Sequence, residues 1–397
     1  MPMIGRTFLM LAAASLVIAP VQATVSAPEA AQVAQGSGDA PPPQDYKPQD
    51  KDERGLWMQM DEAERALKVS PQVIRDAALN DYVRSVFCKT VGQANCAPIR
   101  IYIMRTSQFN ASMAPNGMME VWSGLLLRTQ NEAQLAAVLG HEYTHFQNRH
   151  SIKLFRDVRS KSATATWLAF TGIGLLASFG LLADIFHFSR EMEHEADLGG
   201  LNLMAKAGYD TREASKIWEQ LREEMDATAV VRKVKSRKDK NGGMFASHPP
   251  SAERVAYLAQ EAIVQPGTPG SSGAASYARV MGRYWPLFID DQLKQNDFGA
   301  SEYLVTSLAK EGWTSWKYFA RGELYRRRAG DGDLEKAVTY FGEGINSDGG
   351  GPELWRGRGL ALLKLGRTAE AKADLGEYLK RAPDASDKSM IAMMAGG

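Results

Sequence analysis

Two histidines four residues apart, His141 and His145, enclose the run Glu142-Tyr143-Thr144. On a helix that spacing puts both imidazoles on one face, one turn apart, which suits two ligands of one zinc ion. Glu142 sits beside the first ligand and can reach a water at the metal. Zinc lowers the pKa of such a water, so a neighbouring carboxylate can take its proton during attack on a peptide carbonyl. Glu142 would then be the general base, and afterwards the proton donor to the leaving amine.

A catalytic zinc wants three protein ligands and one open position. The complement is found in Ser189-Arg190-Glu191-Met192-Glu193-His194-Glu195-Ala196-Asp197. Glu193 and Asp197 are four apart and share a helix face. Glu193 can bind metal while Asp197 accepts the outer N–H of a ligand histidine, His141, fixing its tautomer and raising its basicity. Glu191, His194 and Glu195 point elsewhere on that helix and read as solvent-facing or structural. So do His150 and His187, because a lone histidine is more often a satisfied structural group than a ligand. Zinc as a structural staple alone is disfavoured, since Glu142 would then have no role.

These residues need elements to hold them. Ile101 to Met104 reads as a strand, Pro115-Asn116-Gly117 as a turn, and Met118 to Trp122 as a second strand. Thr129 and Glu132 have the spacing of a capping box. The helix behind it carries Leu135, Val138 and Leu139 on one apolar face and delivers the two histidines. At 397 residues the chain is too long for one ordinary core, so two or more domains are expected. Its 44% hydrophobic and 23% charged content is that of a globular protein. A net charge of +1, with no recognisable nucleic-acid motif, gives no reason to expect a nucleic-acid partner.

The N-terminus reads as an export signal, 1–23: Arg6 is followed by the apolar run Phe8 to Ala19 and by Val21-Gln22-Ala23, with cleavage after Ala23. Residues 24–52 are rich in Ala, Gln and Pro and read as a disordered leader. Export implies an oxidising compartment, so Cys88 and Cys96 are expected to close a short disulfide loop. Ala163 to Ala183 has no charged residue and is long enough to span a bilayer. A single crossing would separate the two halves of the metal site, and Gly172, Gly174 and Gly180 interrupt the run. A hairpin of buried or surface helices fits better, with peripheral, two-pass or re-entrant membrane contact as the alternative. Six Lys or Arg between Arg232 and Lys240 read as a solvated loop.

Residues 263–278 have linker composition. Beyond them, over 279–383, the pattern is helical and repetitive. Ala337 and Ala371 are 34 residues apart, Phe341 and Leu375 each follow four later, and around them recur Gly322 with Tyr325, and Trp355 with Gly359. Such small residues at helix crossings resemble the tetratricopeptide repeat. The first unit departs from it in a longer turn, Ala329 to Asp333. Residues 384–397 read as a flexible tail.

Val138-Leu139-Gly140-His141-Glu142-Tyr143-Thr144-His145, then Ser189-Arg190 and Glu193-x-Glu195-Ala196-Asp197, resemble the gluzincin metallopeptidases, the family of HtpX and the CAAX prenyl protease. The run Phe109-Asn110-Ala111 to Gly117, with Val121 and Gly124-Leu125-Leu126, is similar to that family's strand before the active helix. The resemblance covers about Glu53 to Ala262 and is closest to periplasmic members with C-terminal repeats. It adds the segment Ser247-His248-Pro249-Pro250-Ser251-Ala252-Glu253-Arg254. It implies either that His248 occupies the metal's open position and keeps the enzyme latent, or that His248 and Arg254 steady the transition state. It also suggests that Met118 to Trp122 is an edge strand that binds extended substrate by strand addition.

The expected fold is therefore mainly α. A zincin-type α+β metallopeptidase domain with a small sheet, 53–262, precedes an α-solenoid of tetratricopeptide-like repeats. The expected function is that of a periplasmic enzyme with one Zn2+ per chain, cleaving misfolded or stalled envelope proteins. Unfolded or extended polypeptides are its expected substrates, and the repeats are expected to recruit them or the outer-membrane assembly machinery. The alternative is a chaperone or assembly adaptor whose peptidase site is mostly latent.

Overall fold

A computed structural model describes residues 47–161, 188–239, 251–264, 270–310, 312–347 and 350–396. The expectations for the export signal, for 163–183, for His187 and for His248 lie outside the described residues.

Helix α1 (Lys51–Val69) leads into α2 (Ala77–Val91) and the short α3 (Gln93–Cys96). Cys88 and Cys96 are joined by a disulfide across the turn between α2 and α3, with Cα atoms 4.9 Å apart. A loop this short makes it a local staple. Three strands follow: β1 (Arg100–Met104), β2 (Ala111–Met113) and β3 (Met118–Trp122), in the order β1-β3-β2. β1 runs parallel to β3, from Arg100 opposite Met118 to Met104 opposite Trp122. β2 runs antiparallel to β3, with Ala111 opposite Val121 and Met113 opposite Met119.

The expectation that Met118 to Trp122 forms an edge is corrected here. The Pro115-Asn116-Gly117 turn, with Gly117 at φ 84°, folds β2 against one side of β3 while β1 takes the other. All five residues of β3 are buried and its backbone is committed to both neighbours. Met119 and Val121 face the main core, whereas Met118 and Trp122 face a smaller cluster under α1 with Leu56 and Met60. The outer side of β1 is covered by the preceding segment, through Ile74 N–H to the Ile103 carbonyl at 2.8 Å. Among the described residues no strand pairs with the outer side of β2.

After α4 (Ser123–Arg128), α5 (Glu132–Gln147) runs through the middle of the core and is buried from Ala133 to Phe146. Its cap differs from the expected box. Asn131 is the N-cap, its side chain accepting from Gln134 N–H at 2.9 Å. Thr129 instead donates to the Leu125 carbonyl or meets the Tyr277 hydroxyl. Both residues suit a cap chemically, and the one whose backbone leaves extended geometry just before the helix takes the role. Helix α6 (His150–Lys161) turns back from its end, and α7 (Arg190–Lys206) lies along it. Ser189 caps α7, accepting from Met192 N–H at 3.2 Å, and Glu191 and Glu193 in its first turn complement the helix dipole.

The crossing of α5 and α7 is made by glycines. A Cβ on Gly200 would lie 3.1 Å from His141 N, one on Gly140 would lie 3.3 Å from Gly200 Cα, and one on Gly199 would overlap the Thr144 side chain. No larger residue lets the two backbones approach this closely.

Helices α8 (Glu213–Arg232) and α9 (Ala252–Val264) complete the packing around α5 and α7. The core then continues without a break. Residues 270–278, the end of the expected linker, are docked: Asp210 N–H donates to the Ser271 carbonyl at 3.1 Å, and Tyr277 in α10 (Ala274–Met281) is fully buried. α11 (Trp285–Leu293) and α12 (Phe298–Leu308) belong to the same core through Phe288, Ile289 and Leu304. Successive helices then pack on one another: α13 (Ser315–Arg328), α14 (Asp333–Asn346), α15 (Pro352–Lys364) and α16 (Thr368–Arg381). Phe341 of α14 sits against Gly322 and Gly357, and Leu375 of α16 against Gly359. The expected flexible tail holds a helix, α17 (Lys388–Ala395), because Ile391 is buried against α16 beside Leu375 and Tyr378. No described helix is long and apolar enough to cross a membrane.

Gly199→Ala is expected to destabilise the protein by about 1–3 kcal/mol, because overpacking at a tight contact outweighs the gain in helix propensity. Adding Thr144→Ala should return part of the loss. The midpoint of urea unfolding checks both, and a Gly199→Ala midpoint at or above the parent's would contradict the crossing argument.

Candidate metal centre

α5 presents His141 and His145 one turn apart, and α7 brings Glu193 opposite them. His141 Nε2 and His145 Nε2 are 3.0 Å apart. Glu193 Oε1 lies 3.4 Å from His145 Nε2, and Glu193 Oε2 lies 3.7 Å from His141 Nε2. Ligands bonded to a tetrahedral zinc at about 2.1 Å sit about 3.4 Å from one another. The three donors are therefore spaced as a zinc site requires, and two imidazoles with one carboxylate are a donor set zinc favours. Glu142 follows His141 on α5 and is buried.

The surroundings orient the donors. Asp197 Oδ1 is 2.9 Å from His141 Nδ1, so His141 can donate outward to a carboxylate and keep Nε2 free for metal. Arg254 on α9 holds that carboxylate with two hydrogen bonds, Nε to Oδ2 at 2.8 Å and Nη2 to Oδ1 at 2.6 Å. The Tyr257 hydroxyl donates to Asp197 Oδ2 as well. Burial alone would raise the Asp197 carboxyl. The Arg254 charge, followed by the contact with His141, overcomes it and holds the group well below the usual carboxylate range. Burial likewise lowers Arg254, but Asp197 and Glu193 more than offset it, so the guanidinium stays charged.

Arg254 stacks over Trp218, with its guanidinium carbon 3.7 Å from the ring centroid. Its Nη1 is 3.5 Å from Glu193 Oε2 and has no hydrogen-bond partner among the described residues. Two of its three nitrogens thus anchor the arginine, and the third faces the donor cluster. Of the site residues expected from sequence, the fold brings together His141, Glu142, His145, Glu193, Asp197 and Arg254; His248 lies outside the described residues.

Residues 75–262 match the model of peptidase family M48. The chain carries a peptidase family M48 domain. All six residues just named fall within it. The chain is also similar to curated proteins that include the following two. The beta-barrel assembly-enhancing protease of Escherichia coli is 29% identical over 184 residues, 42% of this chain and 38% of that protein. The mitochondrial metalloendopeptidase OMA1 of Schizosaccharomyces pombe is 32% identical over 183 residues, 44% of this chain and 50% of that protein. The chain thus spans half the length or less of these curated relatives.

Sequence reasoning missed three residues around the M48 centre. Tyr257 could have been found, since it lies three residues after Arg254 and so shares its helix face. Trp218 carries no local signal, because its contact with Arg254 is made across two helices. His150 was set aside as structural, yet it lies fully buried with its Nδ1 2.8 Å from His145 Nδ1.

Asp197→Ala is expected to destabilise the metal-free protein by up to about 3–5 kcal/mol, because it removes the two-point partner of the buried Arg254 and leaves that charge only the longer contact with Glu193. The double variant Asp197→Ala/Arg254→Met should recover most of that loss. Urea unfolding in the presence of a chelator checks the pair, and equal losses in the single and double variants would sink the argument.

Proposed function

We propose that this chain is a zinc metalloendopeptidase of the bacterial periplasm. In this reading it hydrolyses peptide bonds in extended segments of misfolded or stalled outer-membrane proteins, and its C-terminal helices recruit substrate or assembly partners as tetratricopeptide-like repeats. The convergence of His141, His145 and Glu193 within 3.0–3.7 Å, inside an M48 domain, carries the proposal. The name of the Escherichia coli relative, a beta-barrel assembly-enhancing protease, supports the substrate class.

His141, His145 and Glu193 would hold the metal. Bound zinc supplies Lewis-acid polarisation and makes water acidic enough to serve as a nucleophile near neutral pH. Glu142 takes the proton of the attacking water and returns it to the leaving amine, so no net proton is consumed at the carboxylate. Arg254 Nη1, already turned toward the donors, is suited to steadying the negative oxygen that develops on the carbonyl. Asp197 keeps His141 in the tautomer with Nε2 unprotonated.

Extended substrate is favoured by β2 rather than by β3. Trp122 N–H donates to the Asn110 carbonyl and Ala114 N–H to the Met118 carbonyl. In an antiparallel ladder this alternation turns the backbone groups of Ala111 and Met113 outward. Ala111 and Met113 are themselves buried, so a peptide could add there only once that edge is uncovered, and it would then run beside α5, close to His145. Strand addition selects unfolded segments, because folded proteins seldom offer a free backbone edge.

The second reading is a chaperone or adaptor role with a latent site. It is favoured by the packing of α11 and α12 on the peptidase core, with α13 to α15 stacked on them in turn, and by the family resemblance, which offers His248 as a fourth ligand. Glu142→Gln separates the readings. It should retain one equivalent of zinc by metal analysis and lose about 10²–10⁴-fold in casein hydrolysis. His248→Ala should raise activity if His248 keeps the site latent, and lower it if His248 assists the transition state. Absence of zinc and of hydrolysis in the parent would overturn the enzyme reading, and an envelope phenotype that survives Glu142→Gln would favour the adaptor.

A further inference from the structure

His150 and Glu195 are assigned no role by the reading above, and their geometry is specific. α5 ends at Gln147, Asn148 is its C-cap, and Arg149 follows in the left-handed region at φ 56°. A non-glycine residue there is strained, by about 1 kcal/mol or more. The strained residue is held: its N–H donates to the Phe146 carbonyl at 3.0 Å, and its guanidinium pairs with Glu53. The result is a sharp reversal that lets α6 begin with His150 folded back under His145. His150 is fully buried, and the Phe188 ring stacks on the face of His145 at 4.1 Å between centroids.

Three groups then stand in a row. His145 Nδ1 is 2.8 Å from His150 Nδ1, and His150 Nε2 is 3.1 Å from Glu195 Oε2. Two facing imidazole nitrogens form a hydrogen bond only if one carries the proton. His145 Nε2 faces His141 and Glu193 and must be unprotonated to bind metal. In a neutral ring its proton then sits on Nδ1 and is donated to His150. His150 accepts on Nδ1, so its own proton sits on Nε2, where Glu195 accepts it. One tautomer assignment satisfies all three groups.

We propose that His150, backed by Glu195, is a positioning residue for the metal ligand His145, doing through one intervening imidazole what Asp197 does directly for His141. This rests on the zinc reading of the same site. The two ligand histidines would be supported unequally. His141 is tied to a buried carboxylate clamped by Arg254, and His145 to a neutral ring whose carboxylate is 57% exposed. The exposed end of the relay should therefore contribute less than the buried middle.

The test is the zinc dissociation constant of the purified full chain, measured by competition with a chelating indicator, with urea unfolding of each metal-free protein as a separate readout. His150→Leu, which fills the space and cannot accept a proton, should weaken zinc binding about 10–100-fold. His150→Asn, whose Oδ1 can take the place of Nδ1, should recover the greater part of that loss at similar metal-free stability. Glu195→Gln should weaken binding only a few-fold. Casein hydrolysis by His150→Leu should return toward the parent level as zinc is raised. Zinc affinity of His150→Leu within about threefold of the parent, or equal losses in the Leu and Asn variants, would overturn the proposal. Should His150→Leu fail to fold, His150→Asn and Glu195→Gln decide it: unchanged affinity in Glu195→Gln with a loss of tenfold or more in the Asn variant would count against the relay. A parent that binds no zinc would instead overturn the metal reading itself.

Discussion

The close crossing of α5 and α7 is the constraint on which the rest depends. Helices packed through ordinary side chains keep their axes 8–10 Å apart. Short donors, an imidazole from one helix and a carboxylate from the other, must meet within a single coordination sphere. Gly140, Gly199 and Gly200 remove the side chains that would hold the backbones apart. Glycine in a helix interior costs about 0.5–1 kcal/mol relative to alanine. That cost is tolerated because α5 is buried on every side and cannot leave its place without exposing the core. The sheet, α2 and α8 thus serve chiefly to keep one helix still, and that helix carries His141, Glu142 and His145, three of the five residues that would do the chemistry.

Burying charge beside a metal site raises a second problem, and the fold meets it by pairing. An isolated carboxylate in this interior would shift its pKa and neutralise, and a neutral Asp197 could not orient His141 as an anionic acceptor. Arg254 keeps it ionised with a two-point contact, and Trp218 covers the guanidinium face that hydrogen bonds leave bare. The arrangement also explains why an arginine stands here. A lysine cannot supply two parallel hydrogen bonds, stack on an indole and still direct a third nitrogen at the donors. The pair is thus better understood as a device for geometry than as a source of stability, since buried ion pairs return little net free energy.

How much of this was legible before the fold was known depended on the range of the interaction. His141, Glu142 and His145 are written in one helical turn, and Glu193 and Asp197 in another, so helix periodicity alone was enough to propose them. The strands at 101–104 and 118–122 were legible from their apolar runs and turn signal. Their order was not, because pairing of β1 with β3 is set by tertiary packing; hence β3 was taken for an edge when it is the centre. The cap was misplaced by two residues for a related reason, as Thr129 is drawn off by Tyr277, 148 positions away. Gly199 and Gly200 were present in the motif helix, but nothing local distinguishes a glycine at a crossing from one that is merely tolerated. His150 was dismissed on the sound rule that lone histidines are structural. The structure does place it as a buried, hydrogen-bonded group, but its position against His145 depends on a left-handed Arg149, a choice no propensity favours.

The continuity of the core bears on what the C-terminal helices can do. A flexible tether would let them sweep a volume and raise the local concentration of bound substrate only loosely. Here the join is solid. Arg128 of α4 pairs with Glu224 of α8 at 2.6 Å and donates to Gln292 of α11 at 3.1 Å, all three buried. Gly299 of α12 packs so tightly on α8 that a Cβ would overlap the Ala227 carbonyl. If these helices recruit polypeptide as proposed, a surface fixed in this way would hold it at one distance and one orientation from α5. Selection among substrates would then come from whether a segment can reach from the helical surface to the outer side of β2, and less from the residues flanking the bond that is cut. On that proposal only a chain with loose ends could span both points at once, and one already folded could not.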